Sequence, residues 1–301
     1  MRLLTGVVSI VGTLFIIGTT YAAMDSASYL IDWDTVGNGG SDLGVSASYQ
    51  LRDTIGNAAI GNATSGSYDL RAGYRQGVFD QLVSLSVLAQ DRSTSRSATA
   101  LAGTTVTCAT AGIVEDDYIA VIQNEGESQV SAIGKVASVG VGTLTVDAWT
   151  NGGVAPVIDG ANDRVYVLSG STADLGELDP AEISTSIVAI EVDADLSTGY
   201  VVQVLQDEPL TSGANTISPV GGGAVSVGAE EYGARSSDSD VDDSTFDSED
   251  TAFLTTYQPT VEKANATFHD RSFLTLKASI DGSTEDGSYS HVLSFIVSGR
   301  F

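Results

Sequence analysis

Along most of the chain, apolar and polar residues alternate over short stretches that end in Gly, Asn, Asp or Ser, which is the pattern of half-buried strands joined by turns. No stretch longer than about ten residues holds the 3.6-residue apolar period of a helix. Five short strands are predicted at Thr105–Cys108, Tyr118–Gln123, Gln129–Val136, Gly142–Ala148 and Arg164–Leu168. The junctions Glu115-Asp116-Asp117, Glu125-Gly126-Glu127, Val139-Gly140-Val141-Gly142 and Asp159–Asp163 carry turn chemistry. A small barrel-like unit over residues 100–170 is therefore expected, with Ser93–Ser97 and Ser171–Pro180 as polar connectors on either side.

Further on, Ile187–Val192 and Tyr200–Leu205 read as one strand pair, joined through Asp193–Gly199. Phe273–Ile280 and Tyr289–Val297 read as a second pair, turning through Asp281-Gly282 and Asp286-Gly287. In the last strand Leu293, Phe295 and Val297 share one face, and Val292 and Ile296 share the other. Apolar character on both faces predicts a central strand of a sandwich, or one seated in a groove between subunits. Ser236–Asp250 has no net apolar period and is expected to be a long acidic surface loop.

Toward the N-terminus a short motif recurs, Ser28-Tyr29-Leu30, Ser48-Tyr49-Gln50-Leu51 and Ser67-Tyr68-Asp69-Leu70, separated by Gly37–Gly40, Gly56-Asn57 and Gly61-Asn62. Strands broken by such turn residues predict hairpin copies over residues 23–82. The expected fold is all-β: an antiparallel β-sandwich over 180–301, N-terminal β-hairpin repeats, and an inserted small β-barrel-like domain.

Met1 and Arg2 precede an apolar run from Leu3 to about Gly18, and Thr20 and Ala22 place small residues at −3 and −1 of a cleavage site. That pattern predicts a secretory signal peptide over residues 1–22 and a secreted, cell-surface location, with no membrane contact beyond the signal peptide. An uncleaved anchor is the alternative.

Charge narrows the choice of partner. The 301 residues include 39 Asp and Glu against 13 Lys and Arg, a formal net charge of −26, and loss of Arg2 with the leader would take it to −27. With Lys135, Lys263 and Lys277 the only lysines, the chain lacks the cationic footprint that a nucleic acid requires. A hydrophobic fraction of 42% supports a buried core, and a charged fraction of only 17% argues against helical surfaces. Cys108 shares a strand face with Val106 and reads as a small buried apolar residue.

Chemical motifs are few. Asp238, Asp240, Asp242, Asp243 and Glu249 imitate the acidic spacing of a helix-loop-helix calcium site. Asp243 stands where that motif needs Gly, and Thr245 where it needs an aliphatic residue, so the five remain a candidate Ca2+ set outside that motif. His269 and His291 are the only histidines, and neither a nucleophile elbow nor a metal-ligand pair surrounds them. Asn62-Ala63-Thr64 and Asn265-Ala266-Thr267 match glycosylation sequons.

Several further segments keep a distinctive order: Asp53–Gly56, Ala72–Tyr74, Ser197–Val202, Leu210–Ile217, Gly228–Gly233 and Gly287–Phe301. Together with the tyrosine repeats, their order resembles a group of uncharacterised secreted bacterial surface proteins. It is more loosely similar to coat and fimbrial β-sandwich subunits, whose last strand often follows a Gly-x-Tyr turn. The resemblance implies a structural role and brings no catalytic residues. Residues 100–170 depart from it. The expected function is a non-enzymatic exported surface protein, such as a filament or coat subunit that self-associates, or meets other surface proteins, through β-strand contacts. The alternative is a monomeric, adhesin-like module that binds a glycan or a cell surface through exposed aromatics. An outer-membrane barrel ending in Phe301 and a hydrolase are weaker rivals.

Overall fold

In the computed structural model residues 83–300 are described in full, apart from Glu127, Asp195 and Ser197, together with the backbone of seven strands upstream. The upstream strands are β1 (Thr5–Gly12), β2 (Met24–Ser26), β3 (Tyr29–Ile31), β4 (Gly44–Val45), β5 (Gln50–Leu51), β6 (Gly61–Ser65) and β7 (Tyr68–Ala72). Next come β8 (Val83–Ala102), β9 (Thr105–Cys108), β10 (Tyr118–Gln123), β11 (Val130–Val139), β12 (Thr143–Val146), β13 (Thr150–Asn151), β14 (Arg164–Leu168) and β15 (Thr172–Glu177). The chain continues through β16 (Ser184–Ala194), β17 (Tyr200–Gln206), β18 (Thr211–Ser212), β19 (Asn215–Thr216), β20 (Glu231–Ser236), β21 (Gln258–Lys263), β22 (Thr267–Ser279) and β23 (Ser288–Gly299). The chain is all-β, with no helix among the described residues.

Two compact units divide the chain, one made of Met1–Leu14 with Val83–Phe301 and the other of Phe15–Leu82. Within the second, β2 pairs with β3, β4 with β5 and β6 with β7, each antiparallel. Tyr29 and Tyr68 open the second strand of their ladders. Tyr49, the turn clusters Gly37–Gly40 and Gly56-Asn57, and the cleavage-site residues 20–23 lie outside the described residues.

In the first unit, β8, β9, β12, β11, β10 and β14 follow one another in a closed cycle of pairings, because β14 also pairs with β8. Ile119, Val121, Val106, Cys108, Leu144 and Val165 cluster together with other buried residues of these strands. The intervening Ala120 and Ile122 belong to a different cluster, with Ile187, Ala189 and Phe273. The run Ile119–Ile122 is thus buried on both faces, which is why it reads as unbroken apolar sequence. Cys108 is a buried free thiol whose pKa is raised by burial, with Arg96 opposing.

Strand β8 continues past this cycle to β16, then β22 and β20. A second sheet runs β15, β1, β23, β17, β21. Val188, Ile190, Leu274 and Leu276 of the first sheet share one core cluster with Tyr200, Val204, Leu293 and Phe295 of the second.

The alternation identifies strands more reliably than it identifies partners. Ile187–Val192 and Tyr200–Leu205 do not pair: β16 lies between β8 and β22, while β17 lies between β23 and β21. The chain changes sheets at Gly199, whose φ is 79° and whose hypothetical Cβ would collide with the Lys263 carbonyl oxygen, so only glycine fits this crossover. Phe273–Ile280 and Tyr289–Val297 likewise fall in different sheets instead of forming a hairpin. Ser93–Ser97 is no connector but the middle of β8, where Arg96 and Ser97 pair with Val165 and Arg164.

Candidate functional site

A polar cluster beside Leu88 and Ile133 joins the closed cycle to β16 and β22. Arg271 donates from Nε to Glu191 at 2.8 Å and through both terminal nitrogens to Asp147, at 2.7 and 2.5 Å. The Tyr118 hydroxyl donates to Glu191 at 2.8 Å, and the Arg271 guanidinium lies 5.6 Å from the Tyr118 ring centre. Burial first, and the bond to Glu191 second, push the Tyr118 phenol well above its ordinary range. Burial alone would raise the Asp147 carboxyl, but Arg271 and the amides of Ala148 and Lys135 outweigh it and hold it low. His269, at φ 55°, places Nδ1 3.3 Å from Asp193. Asp147 and Glu191 are thus both paired with Arg271. The cluster is a clamp that ties Asp147, at the end of β12, to β16 and β22.

The five predicted calcium ligands are spread over different tasks. Asp238 is buried, accepts the Asp240 and Glu262 amides at 3.3 and 3.0 Å, and lies 4.0 Å from Lys263 Nζ. Asp242 meets Arg300 at 3.5 Å, Asp243 turns the backbone at φ 55°, and Glu249 abuts Gly223. Among the described residues no three Asp, Glu, His or Cys side chains converge as a metal set would require. The surrounding loop is also not a solvated one. Phe246 and Val241 are buried, Phe246 joining the main core cluster, and buried Asp250 accepts from Lys277 at 2.7 Å and from the Val225 amide at 2.9 Å. Phe246 pins this acidic stretch to the core. All three lysines meet carboxylates, the third pair being Lys135 with Asp116 at 2.9 Å.

His291 on β23 is buried against Phe253 and Tyr232. Its Nδ1 lies 3.1 Å from the Glu208 carbonyl oxygen, which can only accept, so Nδ1 carries the proton and Nε2 accepts from the Tyr232 hydroxyl at 3.0 Å. Burial lowers its pKa, with the Glu208 carbonyl and Asp207 opposing. This is a satisfied core histidine.

The sheet edges differ in how they end. The outer side of β20 is satisfied by loop backbone: Tyr232 exchanges bonds with Ser218 and Val220, Ala234 with Thr251, and the Ser236 amide donates to Phe246. The outer side of β21 is blunted by side chains, since Ser244 and Ser236 donate to the carbonyls of Pro259 and Thr260 while Asp238 accepts the Glu262 amide. At the opposite end of that sheet, β1 is the one strand that pairs with β15 among the described residues. β1 pairs antiparallel with β15 from Thr5↔Glu177 to Ser9↔Thr172, and parallel with β23 from Thr5↔Ser288 to Gly12↔Phe295. It is the one parallel ladder among the described strands, and it lies wholly inside the run that reads as a secretory leader. Taking β1 away would leave a gap two strand spacings wide, about 10 Å, between β15 and β23. Each backbone group left buried without a partner there would cost about 1–3 kcal/mol. An empty slot is therefore unfavourable. Compared with protein-family models, with curated proteins and with solved structures, the chain matches none.

Proposed function

We propose that the chain is an exported, non-enzymatic cell-surface structural protein whose copies associate by β-strand addition into a filament or coat. The architecture that goes with this reading is a two-sheet sandwich carrying the closed cycle as an inserted barrel, with the N-terminal hairpins as copies of one unit. One observation carries it: the strand that completes the β15–β23 sheet is drawn from a leader-like segment, whereas β20 and β21 are blunted against added strands. A cleaved leader would leave a slot for another strand, and main-chain pairing there needs no catalytic group. A net charge of −27 after loss of Arg2 keeps such subunits apart until a specific contact forms, so assembly should strengthen as salt screens the repulsion. Light scattering and electron microscopy of the exported protein test this. Oligomers or filaments that grow with added salt are expected, and a monomer at every concentration and ionic strength would reject the reading.

A further inference from the structure

Which strand follows β1 into the slot can be read from register. β23 presents buried Tyr289, His291, Leu293 and Phe295 alternately with Ser288, Ser290, Val292 and Ser294. An eight-residue segment just past the predicted cleavage point, Ser26–Trp33, has the matching alternation: Ala27, Tyr29, Ile31 and Trp33 in one phase, Ser26, Ser28, Leu30 and Asp32 in the other. Laid on the parallel register of β1, Ser26 takes the place of Thr5 opposite Ser288, Ala27 that of Gly6 opposite Tyr289, and Ile31 that of Ile10 opposite Leu293. Leu30 then stands opposite Val292, and Asp32 opposite Ser294. Trp33 falls at the position of Gly12, beyond Ser9, where β1 has already run past the end of β15.

We infer that β1 is a removable plug, and that once the leader is cleaved Ser26–Trp33 of a second copy takes its register between β15 and β23. This rests on the strand-assembly reading above and adds its regulation. While residues 1–22 remain attached, Thr5–Gly12 fills the slot within its own chain and no neighbour can enter; cleavage opens it. The donor is at hand, since among the described residues Tyr29–Ile31 pairs only in the three-residue ladder with Met24–Ser26, and isolated two-stranded pairings of that length are marginal. It also belongs to the unit Phe15–Leu82, separate from the sheet that receives it.

The test compares the full chain produced without export, the exported chain, and an exported Tyr29→Asp/Ile31→Asp variant, with N-termini established by mass spectrometry. Light scattering should find the full chain monomeric, the exported chain oligomeric, and the exported variant monomeric. A synthetic Thr5–Gly12 or Ser26–Trp33 peptide, given a lysine tail for solubility, should raise the melting temperature of the variant by about 5 °C or more at about 100 times its Kd. The same peptides should leave the full chain unmoved and dissolve oligomers of the exported chain. Exported protein that retains residues 5–12 overturns the plug. An exported chain that assembles equally well with Tyr29→Asp/Ile31→Asp overturns the donor and leaves strand assembly standing. A monomeric exported chain that the double substitution destabilises overturns the second copy in favour of the chain's own segment, and a monomer indifferent to both substitution and peptides removes the proposal together with the assembly reading.

Discussion

In the closed cycle of β8, β9, β12, β11, β10 and β14, every strand finds both neighbours within residues 83–168, whereas in the sheet through β23 the strand next to β15 comes from residues 5–12, far away in sequence. The cycle has no edge to protect and its cluster around Leu144 is complete within a short span. The other sheet satisfies β23 only while a distant segment is present. Completeness within a short span lets a part serve as scaffold, and on the proposal above the part completed by a distant segment is the one that responds to processing. The Arg271 clamp ties the cycle to β16 and β22, whose side chains share a core cluster with those of β17 and β23.

The strongest way to break this contrast is to damage each region in turn. Phe295→Ala on β23 should cost about 3–5 kcal/mol and also abolish assembly, while Leu144→Ala in the cycle should cost about 2–5 kcal/mol and leave the response to peptides intact. Denaturant melts, paired with light scattering, check both. If the two variants lose assembly in parallel, the regions do not differ in role.

Next comes the clamp. Arg271→Ala strands the half-buried Glu191 carboxylate without its cation, and a loss of about 3 kcal/mol is expected by thermal melting. Arg271→Leu combined with Glu191→Leu should recover most of it, since a buried pair is costlier to break than to replace with apolar groups. An additive double variant would show that Arg271 and Glu191 do not act as a pair.

A smaller effect belongs to Asp163, fully buried between β14 and the preceding turn. Burial would raise its carboxyl, but the amides of Gly160, Asn124 and Asp159 outweigh burial and hold it below the usual carboxylate range. The stability it adds is present above the ordinary Asp pKa and drains away as pH falls through the depressed folded value. Asp163→Asn should cost about 1–3 kcal/mol at neutral pH and flatten that part of the acid melt. An unchanged acid limb would show that the amides do not hold the charge.

The smallest effect is expected at His291, whose folded pKa lies below the unfolded value. The folded chain then binds fewer protons, so its stability is full above about pH 6.5 and declines as pH falls below it. The melting temperature should drop on mild acidification, and His291→Gln should remove that slope. A slope that survives the substitution assigns it elsewhere.

Much of the fold is legible before any coordinates, because strands announce themselves locally. Thr105–Cys108, Tyr118–Gln123 and Arg164–Leu168 coincide with β9, β10 and β14. Pairing is less legible, since period-two alternation says which face is buried and nothing about which strand lies alongside. That is why β16 and β17 read as a hairpin although five residues carry the chain from one sheet to the other. Ser93–Ser97 reads as a connector because its polar side chains hide a backbone fully used by β14. In the acidic loop, Val241 and Phe246 are the signal: two apolar residues among carboxylates predict anchoring, where the lack of periodicity predicts a free loop. The acceptor slot is illegible for a different reason. An apolar run behind Met1 and Arg2 reads as a leader first, and only the ladder shows that the same residues complete a sheet.

The claim that β23 needs a neighbour on both sides is tested most directly by hydrogen exchange over Tyr289–Phe295. In a strand held on both sides every amide has a partner; with one side vacant, alternate amides lose theirs. In the assembled exported chain all of these amides should exchange slowly, whereas in the monomeric Tyr29→Asp/Ile31→Asp chain alternate ones should exchange fast while those facing β17, β18 and the Asp207 carboxylate stay protected. Equal protection in both forms would contradict the account, because β23 would then be complete without any donated strand.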